Sequence, residues 1–266
     1  MLQGKTAIVT GSTSGIGLGI AEAFARSGAN VVLNGFGDTM QIEKTRADLA
    51  HATNAKIVYS PADMSKPKAI GQMIRQTAET FGTVDIMVNN AGIQHVAPIE
   101  EFPEEKWDAI MAINLSSAFH ATKLVLPGMR ERGWGRVITI GGGLALQPMS
   151  AHPQYNATLA ARHNLAVSLA RDLAGSGVTS NVVSPGAILV DATQELVTEI
   201  GPARGWGSTW EEILPNAVEA LIPNDRGRFG KPDEIAAAVA YLCSDLAEYV
   251  SGATIRVDGG LIKGAF

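Results

Sequence analysis

The segment TAIVTGSTSGIG, residues 6–17, joins a short apolar run to a glycine-rich turn. Gly11 permits a tight turn after the run, and Gly15 lets the backbone approach a pyrophosphate. Gly17 lets the following helix pack closely on the strand, which directs the helix N-terminus at the phosphate. The segment therefore predicts a dinucleotide-binding turn, and a purely structural turn is the alternative.

Beyond this turn, short β-branched runs alternate with longer segments of helical period, which is typical of a parallel sheet with helices on both faces. The predicted strands are Thr6–Thr10, Val31–Leu33, Lys56–Ser60, Ile86–Asn89, Arg136–Ile140, Ser180–Val183 and Thr254–Val257. The predicted helices are Ile16–Ser27, Ile42–His51, Lys66–Phe81, Glu104–Glu131, Tyr155–Ala174 and Pro232–Cys243. The pattern predicts a single Rossmann-like, doubly wound α/β domain over residues 1–266.

Residues 189–228 interrupt this alternation and contain Gly, Pro and Trp residues. They follow the sixth predicted strand. Ligands of an open parallel sheet bind at the carboxyl ends of the strands. We therefore predict that residues 189–228 form a substrate lid.

The composition excludes several function classes. The net charge is -5 with no basic cluster, which argues against a nucleic-acid partner. A single cysteine, Cys243, the lack of a signal-peptide pattern and the lack of an apolar run near the roughly 20 residues that span a bilayer predict a cytoplasmic protein without a membrane partner. The five histidines are dispersed, so no metal site is predicted.

Further motifs follow the predicted strands in a regular order. They are Asp63 after the third strand, Asn89–Gly92 after the fourth, then Asn114, Tyr155, Pro185-Gly186, Ser251-Gly252 and Asp258–Gly260. With the glycine turn, this order resembles the short-chain dehydrogenase/reductase family along the whole chain. The first half is most similar to bacterial D-3-hydroxybutyrate dehydrogenases, and the second half, from about Gly141, is closer to another short-chain branch.

The resemblance implies a nicotinamide dinucleotide cofactor. The cofactor-binding residues that it implies are Gly11, Ser12, Thr13, Ser14, Gly15, Ile16, Gly17, Phe36, Asp63, Met64, Asn90, Ala91, Gly92, Pro185 and Gly186. Phe36 is expected beside the adenosine, with a core or turn aromatic as the alternative. Asp63 is expected to accept a hydrogen bond from the adenine amino group, with a solvated carboxylate as the alternative.

The end of the second strand bears on the choice between NAD and NADP. Gly35 stands where the family often has an acid that binds the ribose 2′-hydroxyl, and the nearest acid is Asp38. No Arg or Lys lies in the glycine turn or directly after the strand to pair with a 2′-phosphate. We therefore expect NAD.

The resemblance implies Tyr155 as proton donor and Asn114 as the anchor of a proton-relay water. The family places a lysine four residues after the tyrosine and a serine thirteen residues before it; here these positions are Leu159 and Gly142. A tyrosine with a pKa near 10 is almost fully protonated at pH 7. We therefore expect alcohol oxidation, which needs the phenolate as base, to suffer most.

Two residues are candidates to replace lysines of the family pattern. Arg162 lies seven residues after Tyr155 on almost the same helix face, although a solvated surface arginine is the favoured interpretation. His152 stands where hydroxybutyrate dehydrogenases place a lysine that binds the substrate carboxylate, and a loop histidine is the equal alternative. Gln94 also matches a substrate-binding residue of these enzymes.

Other pocket positions differ from those enzymes. Leu144, Val190 and Leu196 replace polar residues of the hydroxybutyrate dehydrogenases, which predicts a more apolar pocket.

Two functions remain open. The first is an NAD-dependent oxidoreductase acting on a small hydroxy/keto compound similar to 3-hydroxybutyrate or acetoacetate, impaired by the missing serine and lysine. The second is a non-catalytic dinucleotide-binding subunit or sensor. The resemblance also implies a homotetramer in which the helices Glu104–Glu131 and Tyr155–Ala174 pair across subunits.

Overall fold

The computed structural model describes residues 1–264, so the last two residues of the predicted domain lie outside the described part. Seven parallel strands form one sheet in the order β3-β2-β1-β4-β5-β6-β7. The strands are β1 Thr6–Val9, β2 Asn30–Asn34, β3 Ile57–Ser60, β4 Ile86–Asn89, β5 Gly135–Ile140, β6 Val178–Pro185 and β7 Thr254–Val257. Each predicted strand is confirmed, and no end differs by more than two residues.

The helices cover both faces of this sheet, as expected for a doubly wound fold. They are α1 Gly15–Arg26, α2 Thr39–Thr53, α3 Pro67–Phe81, α4 Glu104–Ile110, α5 Ser117–Arg132, α6 Pro153–Asp172, α7 Asp191–Ile200, α8 Trp210–Leu221 and α9 Pro232–Cys243. One buried cluster joins α1 and α9 to the sheet through side chains such as Phe24 and Val239. A second cluster joins α3 and α5 to the opposite face through Ile70 and Val125.

The predicted helix Glu104–Glu131 is divided. A π-helical turn, Met111–Ser116, separates α4 from α5, and the Ser117 N–H donates to the Ala112 carbonyl five residues back. Such turns widen a helix by one residue and are frequent at functional sites. The turn carries Asn114, so the irregularity coincides with a predicted site residue.

The stretch Glu104–Arg132 is long and apolar enough by composition to cross a membrane. The expectation that no segment approaches that length is therefore wrong. In the fold, α5 packs on β4, β5 and α3, and its inner face enters the core of the sheet. A helix buried in a protein core can have the same composition as a membrane-spanning helix, because the protein interior and the bilayer both select apolar residues.

Residues 189–228 contain two helices beyond the predicted six, α7 and α8. α8 begins with a capping box, because Thr209 accepts from the Glu212 N–H and the Glu212 carboxylate accepts from the Thr209 N–H. The T-x-x-E spacing of residues 209–212 was the available signal. Both helices bury their apolar side chains in a cluster of their own, which includes Val197, Ile213 and Phe229.

The glycine turn after β1 depends on close packing between α1 and the strand. A Cβ on Gly17 would lie 2.2 Å from the Gly11 carbonyl oxygen, well inside contact distance. We expect Gly17→Ala to lower the free energy of unfolding by about 1–3 kcal/mol, because backbone cannot move aside as a flexible side chain can. Urea denaturation followed by circular dichroism measures this.

Gly71→Ala is the matched control, since Gly71 is also a buried helical glycine. A Cβ there would meet only Arg75 at 3.4 Å and Leu124 at 3.8 Å, which are ordinary contacts. This variant should be neutral or gain up to about 1 kcal/mol from helix propensity. Equal losses in both variants would contradict the packing argument.

Candidate active site

The glycine turn has the backbone conformation that the sequence predicts. Gly11 and Gly15 have φ of +62° and +57°, which favours glycine. α1 begins directly after it, and the Ser14 side chain makes no capping hydrogen bond. No acidic residue lies in the first turn of α1. The helix N-terminus therefore offers open N–H groups and no negative charge, which suits a phosphate group.

Asn90 joins this turn to the end of β4. Its side-chain amide donates to the carbonyl oxygens of Thr10 and Gly11 at 2.8 and 2.9 Å. In return, the Thr10 hydroxyl accepts from the N–H groups of Asn90 and Ala91, both at 3.0 Å. Because β1 and β4 are the strands at which the strand order reverses, this network holds both walls of the ligand crevice.

Ser12 holds the turn from inside. It is fully buried, its hydroxyl donates to the Val9 carbonyl and accepts from the Asn34 N–H, and its own N–H donates to the Asn34 carbonyl. Neither its amide nor its hydroxyl is left to bind a phosphate. Thr13 extends the support, because its hydroxyl donates to the Phe36 carbonyl at 3.0 Å.

The loop after β2 supplies an exposed aromatic ring and no free charge. Phe36 is 66% exposed, which rules out the core-aromatic alternative. The Asp38 carboxylate caps α2 by accepting from the Gln41 N–H at 2.8 Å. At the next strand end, the Asp63 carboxylate accepts from the Ser65 N–H, and this bond lowers the pKa of Asp63. Met64 beside it is buried in the core.

A cavity of about 720 Å³ opens at the carboxyl ends of the central strands. Its wall includes the predicted cofactor residues Ile16, Asn90, Gly92, Pro185 and Gly186, together with Tyr155. The volume lies within the range usual for cofactor and substrate sites.

The remainder of the cavity wall is mostly aliphatic. Leu144 and Val190 lie in it, as the sequence predicts, and Leu221 and Ile222 enter it from residues 189–228. Gln147 and Thr193 add polar groups. Leu196, also predicted to line the pocket, is 54% exposed and does not reach this wall.

Gln94 and His152 do not line the cavity either. Gln94 is exposed on the loop after β4, and His152 directly precedes α6 with its Nδ1 buried and unpartnered. Their predicted contact with substrate therefore remains a prediction.

Tyr155 lies in the first turn of α6 and faces this cavity. Burial raises the pKa of its hydroxyl above the ordinary value, and the Arg162 charge acts in the opposite direction. The phenol is therefore the form present at neutral pH. In this neutral form, Tyr155 can donate a proton to a developing alkoxide.

Asn114 is fully buried and anchors the loop after β4. Its side-chain oxygen accepts from the Ile93 N–H at 2.8 Å, and its side-chain amide donates to the Ile93 carbonyl at 2.9 Å. Both ends of the amide are thus used within the protein. The proton-relay water predicted for Asn114 remains a prediction.

Leu159 and Gly142 are in contact where the family pattern has a lysine and a serine. Leu159 is 1% exposed, and a Cβ on Gly142 would lie 3.0 Å from its Cδ1. Gly142 has an extended backbone with φ of 172°, so conformation does not require glycine here. The leucine side chain occupies space that a residue larger than glycine at position 142 would need.

Arg162 is not a surface residue, and the favoured interpretation from the sequence was wrong. It is 4% exposed, and its Nη2 donates to the carbonyls of Asn89 and Ala91 at 2.8 and 3.3 Å. It lines the same cavity as Tyr155. The helical spacing of seven predicted the shared face, but burial depends on how α6 sits on the sheet.

A protein-family model described as Enoyl-(Acyl carrier protein) reductase matches residues 11–262. The D-beta-hydroxybutyrate dehydrogenase of Cupriavidus necator is 45% identical over 98% of this chain and 99% of its own. The chain belongs to the short-chain dehydrogenase/reductase family. It is therefore an oxidoreductase of that family, whose members bind a nicotinamide dinucleotide and act on small-molecule substrates.

Two further short-chain relatives support this assignment. The D-beta-hydroxybutyrate dehydrogenase of Rhizobium meliloti is 40% identical over 96% of this chain and 98% of its own. The crystal structure of L-sorbose reductase from Gluconobacter frateurii, complexed with NADPH and L-sorbose, aligns with a TM-score of 0.92. It is 32% identical and covers 99% of this chain and 98% of its own.

The contact between Gly142 and Leu159 predicts energetic coupling. Gly142→Ser should destabilise the protein in the presence of Leu159, because the added side chain meets Leu159 Cδ1 at 3.0 Å. In a Leu159→Ala background the same substitution should cost about 1 kcal/mol less, since the space is open. Urea denaturation of the four proteins of this double-mutant cycle measures the difference.

Gly142→Ala serves as control in this cycle, because it adds the Cβ without a hydroxyl. It should show the same sign of coupling as Gly142→Ser. Additive losses within about 0.3 kcal/mol would mean that the two positions do not compete for space.

Proposed function

We propose that the protein reduces a small 3-keto acid of the acetoacetate type to the 3-hydroxy acid, and catalyses the reverse reaction, with NAD(H). The cavity that brings Tyr155 together with the glycine turn carries this proposal. The substrate class rests on two hydroxybutyrate dehydrogenase relatives of 40 and 45% identity. Residues 189–228, which contribute Leu221 and Ile222 to the wall, are proposed as its lid.

The residues present fit a nicotinamide dinucleotide. The open N-terminus of α1 suits the pyrophosphate, and exposed Phe36 suits the adenosine. Asn90, Gly92, Pro185 and Gly186 form the inner wall beside Tyr155, where the nicotinamide would lie. A Cβ on Gly186 would lie 2.8 Å from the Asp258 backbone, so this part of the wall requires glycine. When bound, the cofactor supplies or accepts the hydride.

In reduction, Tyr155 donates its hydroxyl proton to the carbonyl oxygen as that oxygen gains negative charge. This needs the neutral phenol, which is the form that burial favours. In oxidation, the same oxygen takes the proton of the substrate alcohol and must first be deprotonated. The aliphatic side chains around the reacting centre, Leu144 and Leu159 among them, exclude water and strengthen the charges that act there.

The preference for NAD(H) over NADP(H) follows from the loop after β2. The Asn34 side chain accepts from the Gly11 N–H and donates to the carbonyls of Ser60 and Ala62. The Asp38 carboxylate caps α2. No cation is placed to pair with a 2′-phosphate in residues 34–38, and the one charge there is the negative Asp38. A 2′-phosphate therefore gains no partner and meets a carboxylate.

The proposal predicts NADH-dependent reduction of acetoacetate. NADH should bind more tightly than NADPH in a fluorescence titration, and acetoacetate should be reduced in a steady-state assay. Tyr155→Phe should lower kcat by about 100-fold or more, because it removes the proton donor, and should leave NADH affinity within about 2-fold. Methyl acetoacetate, an uncharged ester, shows whether the carboxylate is needed.

One result would instead favour the non-catalytic subunit. It is tight NADH binding with no reduction of acetoacetate or of other small ketones, combined with turnover by the Gly142→Ser/Leu159→Lys protein. Lack of dinucleotide binding would contradict both functions.

We also propose that α5 and α6 pair with a second copy in a homotetramer. These helices border an apolar groove of about 550 Å³ whose wall includes Phe119, Leu126, Leu165 and Leu169. Phe119 is 49% exposed and Leu124 is 47% exposed. A contiguous apolar face of this kind is typical of subunit interfaces.

Light scattering after gel filtration should give the mass of four chains. Phe119→Glu should shift the protein to smaller species, because it replaces apolar contact area in the groove with a hydrated carboxylate. Met40→Glu is the matched control, since Met40 is 83% exposed on α2, away from the groove. A monomeric starting protein, or an unchanged mass for Phe119→Glu, would contradict this assembly.

A further inference from the structure

Arg162 is a buried cation without an acidic partner. It is 4% exposed, and none of the seven ion pairs among residues 1–264 includes it. Burial lowers the pKa of Arg162, yet a guanidinium keeps its charge at neutral and moderately alkaline pH. An uncompensated buried charge costs several kcal/mol of effective desolvation. Such a cost calls for an anion that is present only at some stage of function.

The guanidinium is held at the cavity wall by backbone oxygens. Nη2 donates to two carbonyls at the end of β4, those of Asn89 and Ala91. Nη1 lies 3.7 Å from the point that a Cβ on Gly92 would occupy, next to Asn114. Nε is buried and has no hydrogen-bond partner. The backbone therefore fixes the position of the group without neutralising its charge.

Tyr155 is the group that this charge reaches. Seven residues rise about 10 Å along a helix, and helical side chains lean toward the N-terminus, which brings the Arg162 head group back toward the tyrosine. Both residues line the same cavity. Burial is the larger effect and raises the pKa of Tyr155; among residues 1–264, Arg162 is the one charged group that lowers it.

The other charges near α6 do not act on Tyr155. The elements that pack against α6 are α4, the π turn, β5, β6 and the turn Gly143–Ala145. Their charged residues are Glu104, Glu105, Lys106 and Asp108, all exposed on α4, and Arg136 on β5. Lys263 lines the cavity but pairs with the Asp225 carboxylate. On α6 itself, burial and the Arg162 charge lower the pKa of His163, and Arg171 and Asp172 are exposed.

We propose that Arg162 is the positioning residue that stabilises the deprotonated form of Tyr155, in place of the lysine that the family has four residues after its tyrosine. This inference rests on the proposed function, in which Tyr155 exchanges a proton with the substrate. In oxidation, the substrate O–H proton passes to the Tyr155 phenolate, and the carbinol hydrogen leaves with its electron pair as hydride to the oxidised nicotinamide dinucleotide. The carbonyl forms as the C–H bond breaks. The Arg162 charge favours the phenolate that begins this step.

Leu159 explains why the cation comes from the following helical turn. It fills the position of the family's lysine and packs against Gly142, so no cation can enter from the first turn after Tyr155. The next turn of α6 on the same face carries Arg162, whose longer side chain reaches the cavity wall. Gly142 and Leu159 thus stand where the family has its serine and lysine, and Arg162 supplies the positive charge from one helical turn further on.

The titration of Tyr155 tests the proposal without substrate or cofactor. A stopped-flow pH jump records tyrosinate absorbance before alkaline unfolding, and subtraction of the matching Tyr155→Phe protein isolates this one residue. Arg162→Met should raise the pKa of Tyr155 by about 1 unit or more, since it removes a nearby positive charge at similar side-chain length. Arg162→Lys should raise it by less than half as much.

Arg171→Met is the matched control, because Arg171 lies on the same helix but is exposed. It should leave the Tyr155 titration unchanged. The proposal is overturned if Arg162→Met titrates like the unmodified protein, if the lysine and methionine variants shift equally, or if the Arg171 control shifts as much. None of these outcomes depends on whether acetoacetate is the substrate, so failure here is distinguishable from failure of the proposed function.

A second variant tests the charge separately from the Arg162 side chain, and thermal denaturation checks that both variants are folded. Arg162→Met/Leu159→Lys returns a cation to the position that the family uses. Tyr155 should then titrate within about half a unit of the unmodified protein, and a pKa raised by about 1 unit or more would contradict the charge argument. In the pH profile of kcat/KM for oxidation, loss of the charge moves the inflection to higher pH, whereas a purely structural role lowers the profile without moving it.

Discussion

The hydrogen bonds between Asn90 and the turn after β1 are the constraint on which the site depends. They join the carboxyl ends of β1 and β4, the two strands at which the winding of the sheet reverses. The glycine turn is then held between this network and the buried Ser12, so the N-terminus of α1 faces the crevice in one orientation. Because both walls of the crevice are held in place, Tyr155 on α6 has a fixed position relative to the residues that line the cavity with it.

The proton-handling residues differ from the family pattern in a correlated way. Gly142 leaves room for Leu159, and Leu159 closes the route that a lysine would take. A buried cation nevertheless lines the cavity with Tyr155, since Arg162 reaches it from the following helical turn. The low dielectric of this wall makes the charge effective over a longer distance than in water. The same low dielectric raises the pKa of Tyr155, so the two effects of burial oppose each other.

Strong local patterns were enough to predict the sheet. All seven strands are β-branched runs with clear ends, and each was located to within two residues. Elements that depend on non-local contacts were harder to predict. The π turn at Met111–Ser116 occurs within a segment whose apolar residues keep a continuous helical period. The helices α7 and α8 bury their apolar faces in a small cluster separate from the sheet, and the strand pattern does not predict this cluster. The T-x-x-E capping signal of α8 was nevertheless local and was missed.

The amino-acid sequence by itself determined the family, the fold and the exchange of serine and lysine for Gly142 and Leu159, because these depend on residue identity and spacing. Tertiary structure alone decided what the remaining residues do. It buries Arg162, for which a solvated surface position was the favoured interpretation from the sequence, and it uses both polar groups of Ser12 inside the turn. It also leaves Gln94 and His152 outside the cavity wall. The physical reason is that burial and hydrogen-bond partners come from segments far apart in the chain, whose approach is set by the packing of helices on the sheet.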